Sequence, residues 1–183
     1  MSGFYDEGEL RRIAINLFHG WGYNFYRLEN QLRADDQLVR SQASRLLGMA
    51  RSSLERAETE YRHEFIGTPT REKPFPDPGI VANARDLERL GTEIGLIGNR
   101  LQALPVPEND RMTQRYREEA DTLKALISSD ELLTGQASLL QTVLEDKSGL
   151  WILEHQTDLK EGLQAIQQTL RGREEALLGR IAK

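Results

Sequence analysis

The chain has 183 residues, 38% of them hydrophobic, which suits one compact domain or one elongated bundle and leaves no room for two independent cores. Its 24 Lys and Arg against 29 Asp and Glu give a formal charge of −5, which argues against a polyanion ligand, so no nucleic-acid partner is expected. Cysteine is absent, which excludes a disulfide framework, a thiol nucleophile and a zinc-thiolate site.

At the N-terminus, Arg11 and Arg12 precede Ile13-Ala14-Ile15, but Asn16, His19, Gly20, Gly22 and Asn24 make the adjoining stretch too polar for a signal peptide. Glu7 and Glu9 also sit where such a peptide is basic. No run of about eighteen apolar residues exists, so no transmembrane segment is expected and the cytoplasm is the default location.

From about Leu10 to Ile66, apolar or small residues recur eleven apart in two rows. One is Leu10, Trp21, Leu32, Ala43, Leu54 and Phe65, and the other is Leu17, Leu28, Val39, Ala50 and Tyr61. Eleven residues in three turns hardly drift around a straight helix. The unbroken phase predicts one long helix over about 10–66, roughly 85 Å at 1.5 Å per residue, and hence an elongated molecule. A break near Asp35-Asp36 is the alternative, because Asp caps helices better than it sits inside them.

Gly67, Pro69, Pro74 and Pro76 mark a Pro-rich linker over 67–77. A second helix is predicted over about 78–104, capped by Asp77, begun by Pro78 and stopped by Pro105. Ile80, Leu87, Ile94 and Leu101, with Leu90, Ile97 and Leu104, repeat every seven residues, a coiled-coil seam. Gly91, Gly95 and Gly98 lie with Ala84 along one flank of that seam, and each glycine costs about 1 kcal/mol relative to alanine in a helix. A close approach of a neighbouring helix along this flank, Gly98 included, is therefore expected.

A helix or helix pair is predicted over about 110–148, begun at Asn109 or Asp110, with Ser128 and Glu131 as a capping box that could split it. A last helix over about 150–181 presents Ile152, Leu159, Leu163, Ile166, Leu170, Leu177 and Ile181. Without strand-like alternation or a longer repeat, the fold class is all-α: a single domain of about four long helices in an elongated, antiparallel, up-and-down bundle.

Chemistry-bearing motifs are sparse. No Gly-x-Ser-x-Gly elbow, Walker loop or Gly-x-Gly-x-x-Gly is present, and three scattered histidines offer few general bases, so an enzyme is not the favoured reading. Glu60 and His63 have the Glu-x-x-His spacing of a ferritin-like metal site, but His63 should point away from the Tyr61 stripe and no second such motif exists. The resemblance to ferritin-like proteins is one of architecture alone. His155, four residues from both Trp151 and Leu159, is read as a hydrogen-bonded boundary residue.

Phe18, Trp21, Tyr23, Phe25 and Tyr26 crowd aromatic residues into one stretch. Trp21 and Phe25 belong to the main stripe, whereas Ile15, His19, Tyr23 and Tyr26 share the opposite face of a helix. A helix with two apolar faces is sandwiched between neighbours or contacts another chain. The expected function is that of a non-enzymatic helical interaction or scaffold protein, a homo-oligomer or the binder of a protein partner, with no cofactor implied. A ferritin-like metal-binding bundle is one alternative. An amphipathic coat on a lipid or polymer surface is another, although the polar faces lack the Lys bias that suits anionic membranes.

Overall fold

The computed structural model describes residues 2–20, 32–68, 70–71, 74–104 and 120–177. A short 3-10 turn, Ser2–Tyr5, leads into α1 (Glu7–Gly20), followed by α2 (Leu32–Phe65), α3 (Pro78–Ala103), α4 (Ala120–Leu144), the short α5 (Gly149–Glu154) and α6 (Gln156–Leu177). The fold is all-α, as the periodicities predict, and the described residues contain no strand.

Local chemistry sets several helix ends. The Asp6 carboxylate accepts from the Glu9 N–H at 3.1 Å and caps α1. Asp77 caps α3 by accepting from Gly79 and Ile80, with Pro78 in the first turn. The Ser148 hydroxyl takes the Trp151 N–H and starts α5. Asp146, at φ 54, supplies the left-handed residue that ends α4.

Contacts at both ends of each helix fix its direction. α3 runs antiparallel to α2: Arg40 donates to the Leu104 carbonyl at one end and Asn83 to the Tyr61 hydroxyl at the other. Arg56 meets Asp146 just past the end of α4, and α2 packs along α4, so these two run the same way. α6 runs against α4, with Arg173 on Asp130 near one end and Gly162 against Phe4, itself bonded to Gln136, near the other. α1 also runs against α4, from Gly3 beside Leu139 to Arg11 on Ser128. The result is an up-and-down bundle, with α5 closing one end over Tyr61 and Leu87. The 34 residues of α2 rise roughly 51 Å against the 8–10 Å between packed axes, so the molecule is elongated.

Burial follows the predicted seams. Leu87, Leu90, Ile94, Ile97 and Leu101 of α3 and the Leu104 that caps it are buried, as are Val39, Ala43, Ala50, Leu54 and Tyr61 of α2. The helix enclosed on most sides is α4, which packs on α1, α2 and α6. Leu133, Ala137, Leu140 and Leu144 are at most 1% exposed, and Asp130 and Thr134 are buried with them.

Three expectations need correction. Ala14, Phe18 and Val39 form one buried cluster, whereas a straight helix would hold Phe18 and Val39 about 31 Å apart at 1.5 Å per residue. The span 10–66 is therefore not one straight helix: α1 and α2 flank α4 in opposite directions. The alternative break point at Asp35-Asp36 falls inside α2. Residues 21–31 themselves, like the predicted helix start at Asn109 or Asp110, lie outside the described residues.

Ser128 and Glu131 do not split the third segment, for α4 is continuous from Ala120 to Leu144. The Ser128 hydroxyl is taken by Arg11 at 2.6 Å, and Glu131 faces the same guanidinium at 3.5 Å. Finally, the last helix is interrupted at His155, whose φ of −103 and ψ of 16 end α5. There the imidazole Nδ1 lies 2.9 Å from the Trp151 carbonyl, and the ring stacks on Trp151 at 4.0 Å, a partly buried and hydrogen-bonded boundary position.

The glycine flank of α3 does face α2, with unequal closeness. A Cβ on Gly91 would meet Leu54 at 3.2 Å and one on Gly95 would meet the flexible end of Arg51 at 2.8 Å, but at Gly98 the nearest atom is Ser44 Oγ at 4.0 Å. The close approach expected at Gly98 is thus absent. Gly98→Ala is expected to stabilise the protein by about 0.5–1 kcal/mol through helix propensity. Gly91→Ala should gain less or lose, and urea midpoints of the two variants check the difference.

Candidate interaction face on the first helix

Three apolar residues of α1 face the bundle: Leu10, Ala14 and Phe18 are buried. On the other side Ile15 is 43% exposed and His19 is exposed, one turn apart. None of the described helices covers these two side chains, as the opposed-face reading of the sequence requires of an interface. Tyr23 and Tyr26, assigned to the same face, lie outside the described residues.

The inner face of α1 is held by shape and by charge. Gly135 on α4 lies under the Leu10 backbone so closely that a Cβ there would sit 2.8 Å from the Leu10 carbonyl carbon. Phe4, 0% exposed, lies on Gly162 of α6, and its carbonyl accepts from Gln136 at 3.1 Å. Arg11 bridges outward to Glu7 and inward to Glu131.

Burial raises the Glu131 carboxyl above the ordinary carboxylate range; the Arg11 guanidinium opposes the shift and the neighbouring Asp130 adds to it. A carboxyl raised in the folded state adds stability below its unfolded pKa and loses that contribution as pH rises through the folded value. At neutral pH the ionised group therefore burdens the fold. Glu131→Gln is expected to raise the urea midpoint at neutral pH, with the gain fading toward pH about 4. A gain that grew on acidification would mean that Arg11, not burial, dominates the site.

Sequence reasoning missed the ionic pair in the core. Asp130, 0% exposed, accepts from Arg173 Nε at 2.5 Å between α4 and α6, both side chains being withdrawn from water. Both positions continue the apolar seams of their helices. Asp130 stands between Leu126 and Leu133, and Arg173 between Leu170 and Leu177, at spacings of three and four residues. Opposite charges in two seams were the available signal.

The metal-site residues are not assembled. Glu60 and His63 are both exposed on α2, so they do not project into the bundle as a ferritin-like site demands. Among the described residues no group of three or more His, Asp or Glu side chains could hold a metal ion. Among them, too, no helix is long and apolar enough to cross a membrane. No protein-family model, curated protein or solved structure matches this chain.

Proposed function

We propose that this chain is a non-enzymatic helical interaction protein that associates, with itself or with a protein partner, through α1. One observation carries the reading. α1 is a peripheral helix whose inner face is used up on α4, yet its outer face presents Ile15 and His19 with none of the described helices over them. In sequence the same face continues to Tyr23 and Tyr26, residues that suit interfaces because each couples apolar area to a polar handle.

The double variant Ile15→Glu, His19→Glu is expected to weaken association at least tenfold, about 1.4 kcal/mol, with helix content unchanged by circular dichroism. Tyr23→Glu with Tyr26→Glu should act in the same direction. Unchanged association in both double variants, or loss of the fold, would remove the outer face as an interface.

A further inference from the structure

We propose that this chain joins head to tail with a second copy of itself, Phe75 of one copy seating in a pocket between the N-terminal turn, α4 and α6 of the next. This goes beyond the outer-face reading of α1 and stands even if Ile15 and His19 prove inert.

The projecting side is an aromatic ring clamped by prolines. Phe75 is 84% exposed, more than any other large hydrophobic side chain among the described residues. It stands between Pro74 and Pro76, and Pro78 follows at the start of α3. A proline fixes its own φ and holds the residue before it extended, so Phe75 and Asp77 both have little backbone freedom. Asp77, at φ −60 and ψ 127, also accepts from the Gly79 and Ile80 N–H groups, which ties the segment to the rigid end of α3. A side chain presented from so constrained a backbone loses little conformational entropy on docking.

The receiving side is a pocket of about 150 Å³, a size that holds one benzene ring. Buried Phe4, Leu10 and Ala165 give it an apolar floor, and exposed Tyr5, Glu7 and Gln168 mark its mouth. Tyr5 is held in place by its hydroxyl, which donates to the Glu161 carbonyl at 3.3 Å, and it offers a ring for an aromatic contact. The charges agree as well. Of those described beside Phe75, Asp77 is spent on the α3 cap, which leaves the exposed Arg71, opposite in sign to Glu7 at the mouth.

A ring that is 84% exposed is not seated in the pocket of its own chain, so the ring that fills that pocket comes from another copy. Ring and pocket are different patches on different elements, so the contact is heterologous: each copy in a pair keeps one unused ring or one unused pocket. Assembly of this kind grows with concentration and does not stop at two copies unless the rotation closes a ring.

Sedimentation velocity on the Ile15→Glu, His19→Glu protein, in which the outer face of α1 no longer contributes, tests the contact separately from that face. This parent should form species heavier than 20.9 kDa as its concentration rises. Adding Phe75→Asp should weaken that association at least tenfold with helix content unchanged, because the ring is exposed. Adding Thr169→Trp instead should fill the pocket with the same result; the Thr169 hydroxyl donates to the Ala165 carbonyl of its own helix, so its loss spares the contacts between helices. Mixed in equal amounts, the two variants should form a pair of twice 20.9 kDa that grows no further, since one supplies the pocket and the other the ring. Undiminished association of the Phe75→Asp protein overturns the proposal, and that result alone decides if Thr169→Trp fails to fold. A mixture no heavier than its components while the parent associates also overturns it. So does a parent that is monomeric at every concentration, an outcome that leaves association through the outer face untouched.

Discussion

Arg173→Met is expected to cost the bundle about 3–5 kcal/mol, because it removes the opposite charge from beside a carboxylate buried in the core. Asp130 is 0% exposed and the Arg173 side chain 2%, so the two charges face each other out of contact with water. The companion change is more informative. Breaking a buried pair from one side leaves an uncompensated charge, whereas replacing both members by apolar residues removes the desolvation cost together with the attraction. Asp130→Leu with Arg173→Met should therefore recover most of the loss. Chemical denaturation of the two single variants and the double variant forms the cycle. If the double variant is as unstable as the sum of the singles, the pair does not act as a unit.

Gly135→Ala is expected to cost about 1–3 kcal/mol, by overpacking at a place that cannot yield. The atoms that a new Cβ would meet belong to the Leu10 backbone, not to the end of a flexible side chain. The helix propensity of alanine offsets only about 1 kcal/mol. Because the collision lies between α1 and α4, the damage should be local. Amide exchange should quicken through residues 7–20 while the buried seam of α3 stays protected. A variant as stable as wild type, with α1 equally protected, would show that the α1–α4 contact is looser than the geometry requires.

The helices were legible in the sequence wherever one apolar face meets one neighbour. α3 is the clearest case. Its seven-residue seam is the buried face, and Asp77 and Pro78 start it where a cap and a first-turn proline should. The reversal between α1 and α2 was hidden for a physical reason. Apolar phase reports which side of a helix is buried and is silent on whether its axis continues, so two antiparallel helices on α4 can share the phase of one straight rod. Ser128 and Glu131 have the spacing of a capping box, but their partner is Arg11 from another helix, a tertiary contact that local spacing does not encode. The break at His155 carries neither Gly nor Pro to announce it.

The candidate face was half legible. Helical geometry put Ile15 and His19 opposite the buried stripe, and both are exposed. The inner side of the same helix was invisible beforehand, because the fit of Gly135 under Leu10 depends on which helices meet and at what height. The sequence drew attention to the glycines of α3, whereas a side chain at Gly135, Gly149 or Gly162 would meet its neighbours more closely than one at Gly98.

Association is the claim on which the functional account stands, and the mass of the native protein in solution tests it most directly. Light scattering across a range of concentrations should return at least twice the 20.9 kDa of one chain, with Ile15→Glu, His19→Glu shifting the mass toward that of a single chain. A mass of 20.9 kDa at every concentration would contradict self-association through α1.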